Sequence, residues 1–304
     1  MPQIVLAEAE RLAADDAAHT SRRARRAEHG CHFGSFIRAK DFNVLRLALG
    51  WLAPWHVVQA GRLALHGIRR AIGRCQIGAP AAFKRTVREW TEVIDRDYSH
   101  PCVIVWVPFN ESWGVPELPS VDAQRHAVET LYHLTKTLDA TRPVIGNDGW
   151  ESSATDIIGI HDYDADIDHL HRRYGAEVVP EKLFEKSRPA GRLLTLDGHP
   201  HKGQPIMLTE FGGIAVKRSN VEPGHEKTWG YTTTQSAEEF GDLYERLIKT
   251  IVHAELFSGF CYTQFADTFQ EGNGLLNADR SPKLPLARIH AATTVPRSWS
   301  PGMV

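Results

Sequence analysis

The sequence predicts an α/β fold, a (β/α)8 TIM barrel whose first three βα units are incomplete or irregular. From residue 81 onward, helix-period segments alternate with strand-like segments, a pattern typical of repeated βα units and a parallel sheet. The strand-like segments are apolar without alternation, as expected when both faces of a sheet are covered. Polar residues gather at the carboxyl ends of four of the five candidate strands. A parallel barrel builds its active site at those ends.

The first predicted helix covers residues 81–98 and leads directly into a strand. Its apolar residues recur at helical spacing until a His-Pro pair ends it: Phe83, Val87, Trp90 and Ile94, then His100-Pro101. The apolar run VIVWVPF, residues 103–109, is the first predicted strand. The face of a second helix is marked by Ala127, Leu131, Leu134 and Leu138, and Arg142-Pro143 closes it.

Four further strands complete the pattern. PVIGNDG and DIIGIHDYD are two short strands with polar residues at their carboxyl ends. After a loop rich in Gly, Pro and His comes PIMLTEFGG, which runs to the carboxylate of Glu210. Ser236 and Glu239 form a capping-box pair, which predicts the start of a long amphipathic helix. The last strand is GFCYTQFAD, residues 259–267.

The first 80 residues depart from this rhythm. Residues 1–34 contain the basic run SRRARRAEHG and are predicted to be an atypical, disordered arm, since no aromatic residue interleaves the charges as in a binding patch. The barrel domain is predicted to span 35–298, with 299–304 as a tail. Within 35–80 only FNVLRL resembles a strand. Our hypothesis is that 48–80 is a divergent or frame-shifted third βα unit, which would leave the barrel unclosed.

Composition excludes several classes of function. The formal net charge of −2 and the pI near 6.8 give no reason to expect a nucleic acid or a membrane as partner. No secretory signal or long apolar run is present, so we expect a cytoplasmic protein. The 16 histidines include no HExxH spacing, and no glycine-rich nucleotide fingerprint occurs. We therefore expect no metal and no cofactor; the sequence leaves the oligomeric state open.

Two glutamates carry the strongest chemical signal. Glu111 and Glu210 each end an apolar strand and lie 210 − 111 = 99 residues apart, about three βα units. They are therefore predicted to face each other across one barrel mouth. A single carboxylate at the end of a buried strand is more readily an ion-pair partner or a rim residue. Two in matching context favour acid and base work on a glycosidic bond, with retention or inversion left open.

These motifs resemble the catalytic barrel of glycoside hydrolase family 2, the family of β-galactosidases, β-glucuronidases and β-mannosidases. The resemblance covers residues 81–285 and rests on WVPFNESWG, RPVIGNDGW, IHDYD, LTEFGG and YTQFADTFQEGNGLLNADRSPK. It implies a carbohydrate substrate, a β-glycoside, hydrolysed with retention through a covalent glycosyl-enzyme intermediate. It also implies that Glu111 is the general acid/base, Glu210 the nucleophile, and Asn110 a hydrogen-bonding partner of the sugar 2-hydroxyl.

The resemblance extends to other candidate substrate-binding residues, each with a structural alternative. Tyr163 and His161 stand at the predicted end of strand six, where a tyrosine commonly hydrogen-bonds the nucleophile; a rim aromatic and a buried histidine are the alternatives. Trp113 and Trp150 are predicted to stack on the sugar; the alternative is that they pack within the protein. Asp267 and Asn273 are predicted to form hydrogen bonds with the sugar; the alternative is that they lie in a solvated loop.

Three departures from the family qualify this prediction. The glucuronidases of the family hold the sugar carboxylate with an Asn-x-Lys motif. This chain has Asn273 but not the lysine of that motif, which argues against a glucuronide substrate. We expect the chain to lack the sandwich domains that usually precede the barrel. The first three units are irregular, although Arg46 stands where the family has an arginine at the end of strand two. The alternatives are a degenerate, non-catalytic fragment of such a barrel, or another Glu/Glu barrel enzyme such as an endoglycanase.

Overall fold

The computed structural model describes residues 80–100, 103–185, 191–217, 230–268 and 271–295. The predictions for the arm 1–34, for the strand FNVLRL with Arg46, for nearly all of segment 48–80 and for the tail 299–304 fall outside these ranges and stay predictions. In the described ranges, helices and strands alternate as the sequence pattern predicts.

The elements occur in the order expected of βα units. They are α1 (Pro80–Asp97), β1 (Phe109–Asn110), α2 (Asp122–Leu138), β2 (Asn147–Asp148), β3 (Ile158–Asp162), α3 (Ile167–Tyr174), α4 (Pro180–Phe184), β4 (Ile206–Gly212), β5 (Ile214–Val216), β6 (Thr232–Thr234), α5 (Ala237–His253), β7 (Gly259–Thr263) and α6 (Leu286–Thr293). The predicted helices over 81–98 and after Ser236 correspond to α1 and α5. The elements α3, α4, β5, β6 and α6 were not predicted.

Every pair of strands in these ranges is parallel. β1 pairs with β2, β3 with β4, and β4 with β7, while β5 and β6 form a separate pair. An isolated parallel bridge between Trp106 and Val144 extends the contact of the first two strands. The predicted strand VIVWVPF is thus regular only at its end. Spatial order follows chain order, as it does around a parallel barrel, and the described strands form an open arc of that barrel.

The core lies on both sides of the strands. On the outer side, α3, α5 and α6 pack against β3, β4 and β7 through buried residues such as Leu170, Phe240, Leu247 and Ile289. On the other side a smaller cluster consists of Val105, Val107, Ile145, Ile157 and Met207. Burial of each such side chain contributes about 1.5–3 kcal/mol. Because both faces are covered, the strands carry apolar residues in succession until their carboxyl ends.

The N-cap predicted for α5 is present at Ser236, while the Glu239 carboxylate accepts from the residue before the cap and not from the cap itself. Ser236 Oγ accepts a hydrogen bond from Glu239 N at 3.1 Å, and Glu239 Oε2 accepts one from Gln235 N at 2.7 Å. These contacts satisfy amide groups that have no partner within the helix. The helix therefore begins at Ala237, directly after the Ser236 cap.

A buried carboxylate, Asp139, ties the segment before β1 to the end of α2. It accepts hydrogen bonds from Trp106 Nε1 at 2.8 Å, Thr141 Oγ1 at 2.6 Å and Arg142 Nη1 at 2.5 Å. Burial alone would raise the pKa of Asp139, but the hydrogen bonds from Thr141, Trp106 and Arg142 lower it well below its usual value. The charged form of Asp139 is therefore part of the folded structure.

We expect Asp139→Ala to lower the free energy of unfolding at neutral pH by about 3–5 kcal/mol, because it leaves the Arg142 charge without its buried partner. Since the folded pKa lies below the unfolded value of about 3.9, the wild-type contribution is complete above that value and is lost as pH falls further. The difference between the two proteins in urea unfolding should therefore shrink below about pH 4. The control is Asp95→Ala, which removes an exposed carboxylate on α1. If Asp139→Ala lowers the free energy of unfolding at neutral pH by less than about 1 kcal/mol, the prediction is wrong.

Candidate active site

Four titratable side chains converge at the carboxyl ends of the strands. Glu111 follows β1, Asp148 ends β2, His161 lies in β3 and Glu210 in β4. The buried His161 ring places Nδ1 2.9 Å from Glu111 Oε1, and Nε2 3.2 Å from Asp148 Oδ2 and 3.3 Å from Glu210 Oε1. One ligand atom each of Glu111, His161 and Glu210 lies within 4.8 Å of the others. The structure thus brings the two glutamates together around one imidazole.

Strand pairing explains this convergence. Glu111 N donates to Asp148 O at 2.8 Å, which fixes the end of β1 beside the end of β2. Between β3 and β4 the register shifts at Ile160/His161, so that His161 and Glu210 become partners. The Asp148 carboxylate accepts a hydrogen bond from Thr209 Oγ1 at 2.6 Å, which links β2 to β4. Each reactive side chain therefore stands on regular structure or directly after it.

Tyr163 contacts the second oxygen of Glu210. Its hydroxyl donates to Glu210 Oε2, while His161 Nε2 faces Oε1. The ring of Tyr231 stacks on that of Tyr163, with centroids 3.6 Å apart and planes 5° from parallel. The Tyr163 hydroxyl and His161 Nε2 therefore contact one Glu210 oxygen each and fix the orientation of the carboxylate.

Several buried polar atoms have no hydrogen-bond partner in the part of the chain that the structure describes. Asn110 Oδ1 and Trp150 Nε1 are among them and belong to predicted substrate-binding residues. An acceptor or donor left unpaired in this way costs about 1–3 kcal/mol, and such groups call for an explanation such as a ligand. One is an acceptor and the other a donor, and together they match what a sugar hydroxyl can offer.

The two predicted stacking residues differ in exposure. Trp113 is 45% exposed, and its Nε1 donates to Glu111 Oε2 at 3.2 Å. Trp150 meets the His161 ring edge-on, with centroids 5.8 Å apart, and the Arg192 guanidinium lies 5.5 Å from its ring centroid. Trp113 is thus the more accessible ring, whereas Trp150 packs around His161.

Asp267 and Asn273 brace the loop that follows β7. Asp267 Oδ1 accepts from Lys283 Nζ at 2.7 Å and from Gly274 N at 2.9 Å. Asn273 Oδ1 accepts from Gln264 Nε2 at 2.8 Å. Both residues are buried, so the alternative of a solvated loop is wrong for these two. Their predicted contacts with a sugar stay predictions.

Several residues of the site were not predicted. Asp148 could have been found, because it ends the strand PVIGNDG as Glu111 ends its own. Ser112, Asn147 and Glu151 also lie around Glu111, but no local pattern marks them. Glu111, His161 and Glu210 are close enough to share a metal ion; the expectation of no metal stays a prediction. Among the residues that the structure describes, no helix combines the length and the apolar character of a membrane span.

Parallel strands that bring two glutamates together at their carboxyl ends are the arrangement expected of a barrel of the glycosidase type. Residues 56–295, most of the chain, match the family model described as "Glycosyl hydrolases family 2, TIM barrel domain". The chain belongs to glycoside hydrolase family 2, and this match is to the TIM barrel domain. The resemblance and the fold class predicted from the motifs are confirmed.

Known relatives are much longer than this chain. The β-galactosidase of Yersinia pestis bv. Antiqua (strain Angola) is 25% identical over 246 residues, which are 78% of this chain and 21% of the relative. The β-galactosidase of Yersinia pseudotuberculosis serotype I (strain IP32953) is also 25% identical over 246 residues, 78% of this chain and 20% of the relative. The chain thus spans about a fifth of the length of these curated relatives.

Two solved structures are also similar to the chain. The β-D-glucuronidase of Dictyoglomus thermophilum has a TM-score of 0.48 and 18% identity, covering 71% of this chain and 36% of that one. The β-glucuronidase of Faecalibacterium prausnitzii has a TM-score of 0.46 and 23% identity, covering 69% of this chain and 34% of that one.

Proposed function

We propose that this chain hydrolyses β-glycosides with retention of configuration, through a covalent glycosyl-enzyme intermediate. The observation that carries the proposal is the meeting of Glu111 and Glu210 around His161, with ligand atoms of all three within 4.8 Å of one another. Retaining glycosidases hold their two carboxyl groups about 5–5.5 Å apart, whereas inverting enzymes leave about 6.5–9.5 Å for a water molecule. The short separation supports direct attack by one glutamate.

Glu210 is the better nucleophile of the two. Its side chain is 5% exposed and stands within β4, with Tyr163 and His161 at its two oxygens. Those contacts direct the carboxylate and keep water away from it. Glu111 has 13% of its side chain exposed and lies in the turn after β1. That position suits a group that exchanges protons with a leaving alcohol and then with water.

The reaction then follows in two balanced steps. A Glu210 oxygen bonds to the anomeric carbon as the glycosidic C–O bond breaks, and Glu111 gives its proton to the leaving oxygen. Glu111, now a carboxylate, takes a proton from a water molecule whose oxygen bonds to the anomeric carbon. Glu210 leaves as a carboxylate, and the products are a free sugar and an alcohol.

Residues around the glutamates would hold the sugar. Asn110 Oδ1, which has no hydrogen-bond partner in the described ranges, would accept from the 2-hydroxyl, and Trp150 Nε1 would donate to another oxygen. Trp113 would cover the aglycone side, while Asp267 and Asn273 would shape the last loop. We place β-D-galactosides first, because the curated relatives are β-galactosidases.

A glucuronide fits the site less well. The Asn-x-Lys motif of the glucuronidases would require a lysine two residues after Asn273, where this chain has Leu275. Leu275 is buried in the main core cluster. The only lysine close to that loop in the described ranges, Lys283, contacts the buried Asp267 at 2.7 Å. A neutral hexose is therefore the better substrate class.

Covalent trapping tests the proposal directly. We expect 2,4-dinitrophenyl 2-deoxy-2-fluoro-β-D-galactoside to inactivate the chain and to leave one fluorosugar on the peptide that contains Glu210, as measured by mass spectrometry. The Glu210→Gln variant is the control and should stay unlabelled. If the galacto, gluco and manno reagents all leave the folded wild-type chain unlabelled, the degenerate, non-catalytic barrel is the better description.

A further inference from the structure

The turn that carries Glu111 has an unusual backbone. Glu111 and Ser112 have positive φ angles of 53° and 55°, and Asn110 O accepts a hydrogen bond from Trp113 N at 3.0 Å. Two positive φ angles between residues joined in this way are those of a type I′ turn, which normally contains Asn and Gly. Residues with larger side chains adopt it only where surrounding contacts hold them there. The candidate acid/base thus stands on a turn that needs support.

The support comes from the buried side chain and amide of Ser112. Ser112 Oγ donates to Glu151 Oε2 at 2.5 Å, and Ser112 N donates to Asn147 Oδ1 at 3.0 Å. Asn147 Nδ2 in turn donates to Ser112 Oγ at 3.2 Å and to Trp150 O at 2.7 Å. Ser112, Asn147 and Glu151 are all buried. Because these bonds are shielded from water, they hold the turn strongly.

Glu151 is itself fixed from a third segment. Its own φ is 51°, and its backbone N donates to Leu193 O at 2.7 Å. Its second carboxylate oxygen, Oε1, lies 3.4 Å from Arg192 Nη1. In the described ranges, the partners of this carboxylate are therefore Ser112 and Arg192, one on the turn and one behind it. The hydrogen bond to Ser112 is the direct link from the Glu151 carboxylate to the turn that carries Glu111.

We propose that Ser112, Asn147 and Glu151 form a clamp that positions the Glu111 carboxyl group for proton transfer to the leaving oxygen. The inference rests on the proposed function. Ser112, Asn147 and Glu151 are positioning residues, because Glu111 would contact the substrate and they would not. Misplacement of a catalytic group by about 1 Å can lower a rate 10²-fold. Glu210 stands on β4, which the clamp bonds do not reach, so the clamp serves acid catalysis and not the nucleophile.

A leaving-group series separates this role from general support of the fold. Loss of a well-placed acid slows substrates with poor leaving groups, whereas an acidic phenol departs without protonation. We expect Glu151→Ala and Ser112→Ala to lower kcat/KM for phenyl β-D-galactoside by about 10- to 100-fold. For 2,4-dinitrophenyl β-D-galactoside the same variants should stay within about threefold of wild type, since that departure needs no acid.

Three further variants sharpen the comparison. Ser152→Ala is the matched control: Ser152 is buried beside Glu151, and its hydroxyl has no hydrogen-bond partner among the described residues. We expect it to follow wild type at both substrates. Glu151→Gln keeps an acceptor for Ser112 Oγ and should recover most of the lost rate. Ser112→Gly relieves the positive φ while removing the hydroxyl, so it provides a folded variant if Ser112→Ala does not fold.

Stability gives a second readout that does not need activity. Ser112→Ala and Glu151→Ala should each lower the melting temperature of the full chain by about 2–6 °C. The double variant should fall by clearly less than the sum of the two, because both substitutions remove the same hydrogen bond between Ser112 and Glu151. Additive shifts would show that the two side chains do not act together, and the clamp would be rejected.

The outcomes also separate this inference from the proposed function. Equal loss at both galactosides, or a Ser152→Ala profile like that of Glu151→Ala, would overturn the clamp while trapping at Glu210 still succeeds. A folded wild type that cleaves neither substrate and forms no adduct at Glu210 would defeat the proposed function and the inference together.

Discussion

Glu210→Gln is expected to lower kcat/KM for aryl β-D-galactosides by roughly 10⁴- to 10⁶-fold, as loss of a nucleophile does in other covalent mechanisms. The amide is close to the carboxylate in size but cannot form the glycosyl ester. Tyr163 and His161 already contact the two Glu210 oxygens, so the variant should keep the shape of the site. Steady-state kinetics on 2,4-dinitrophenyl β-D-galactoside, which needs no acid assistance, isolates the nucleophile from the general acid.

The same substitution should stabilise the fold. Glu111, Asp148 and Glu210 place three carboxylates around His161 in a shielded site. Removal of one charge reduces their repulsion and the cost of burial, so we expect the free energy of unfolding to rise by about 1 kcal/mol. Active sites commonly trade stability for function in this way. Loss of activity together with gained stability cannot come from unfolding.

The control for both measurements is Glu245→Gln. Glu245 lies on α5, and its carboxylate meets Arg288 at 2.5 Å away from the strand ends. Activity of this variant should equal that of wild type. If Glu210→Gln keeps more than about a tenth of wild-type activity, Glu210 is not the nucleophile.

The long elements of the fold were predictable because their signals are local. Helix α5 has its N-cap, a helical stripe of apolar residues and a length of several turns, all readable within 17 residues. Helix α3 had a readable signal that went unused: Asp166 precedes it and accepts hydrogen bonds from Asp168 N and His169 N. Strands β5 and β6 had none, since their pairing joins short segments that are distant in sequence.

The site divides in the same way. The proximity of Glu111 and Glu210 could be predicted because each follows or ends a strand, and the carboxyl ends of parallel strands lie at the same edge of the sheet. The place of His161 between them depends on a register shift at Ile160/His161, which no periodicity reveals. The bond from Ser112 to Glu151 joins residues 39 positions apart and supports a strained turn. Such contacts exist only once the barrel has formed, so sequence patterns do not encode them locally.

Glu111→Ala should separate the two roles of the general acid/base. Without an acid, kcat/KM for phenyl β-D-galactoside is expected to fall by about 10²- to 10⁴-fold. With 2,4-dinitrophenyl β-D-galactoside the first step needs no acid, so the glycosyl-enzyme still forms. Its hydrolysis is slow, because no base activates the attacking water molecule. That substrate should show a rapid burst of dinitrophenol followed by slow turnover and a lowered KM.

Azide supplies the decisive measurement on this variant. Truncation of Glu111 leaves room beside the anomeric carbon, and azide attacks without needing to lose a proton. We therefore expect azide to restore turnover of 2,4-dinitrophenyl β-D-galactoside by about 10²-fold and to yield β-galactosyl azide, which NMR identifies. Glu111→Gln is the matched control, because its amide fills the same space and should block the rescue. An α-azide would indicate a single displacement, and with it the inverting geometry that the short distance between Glu111 and Glu210 argues against.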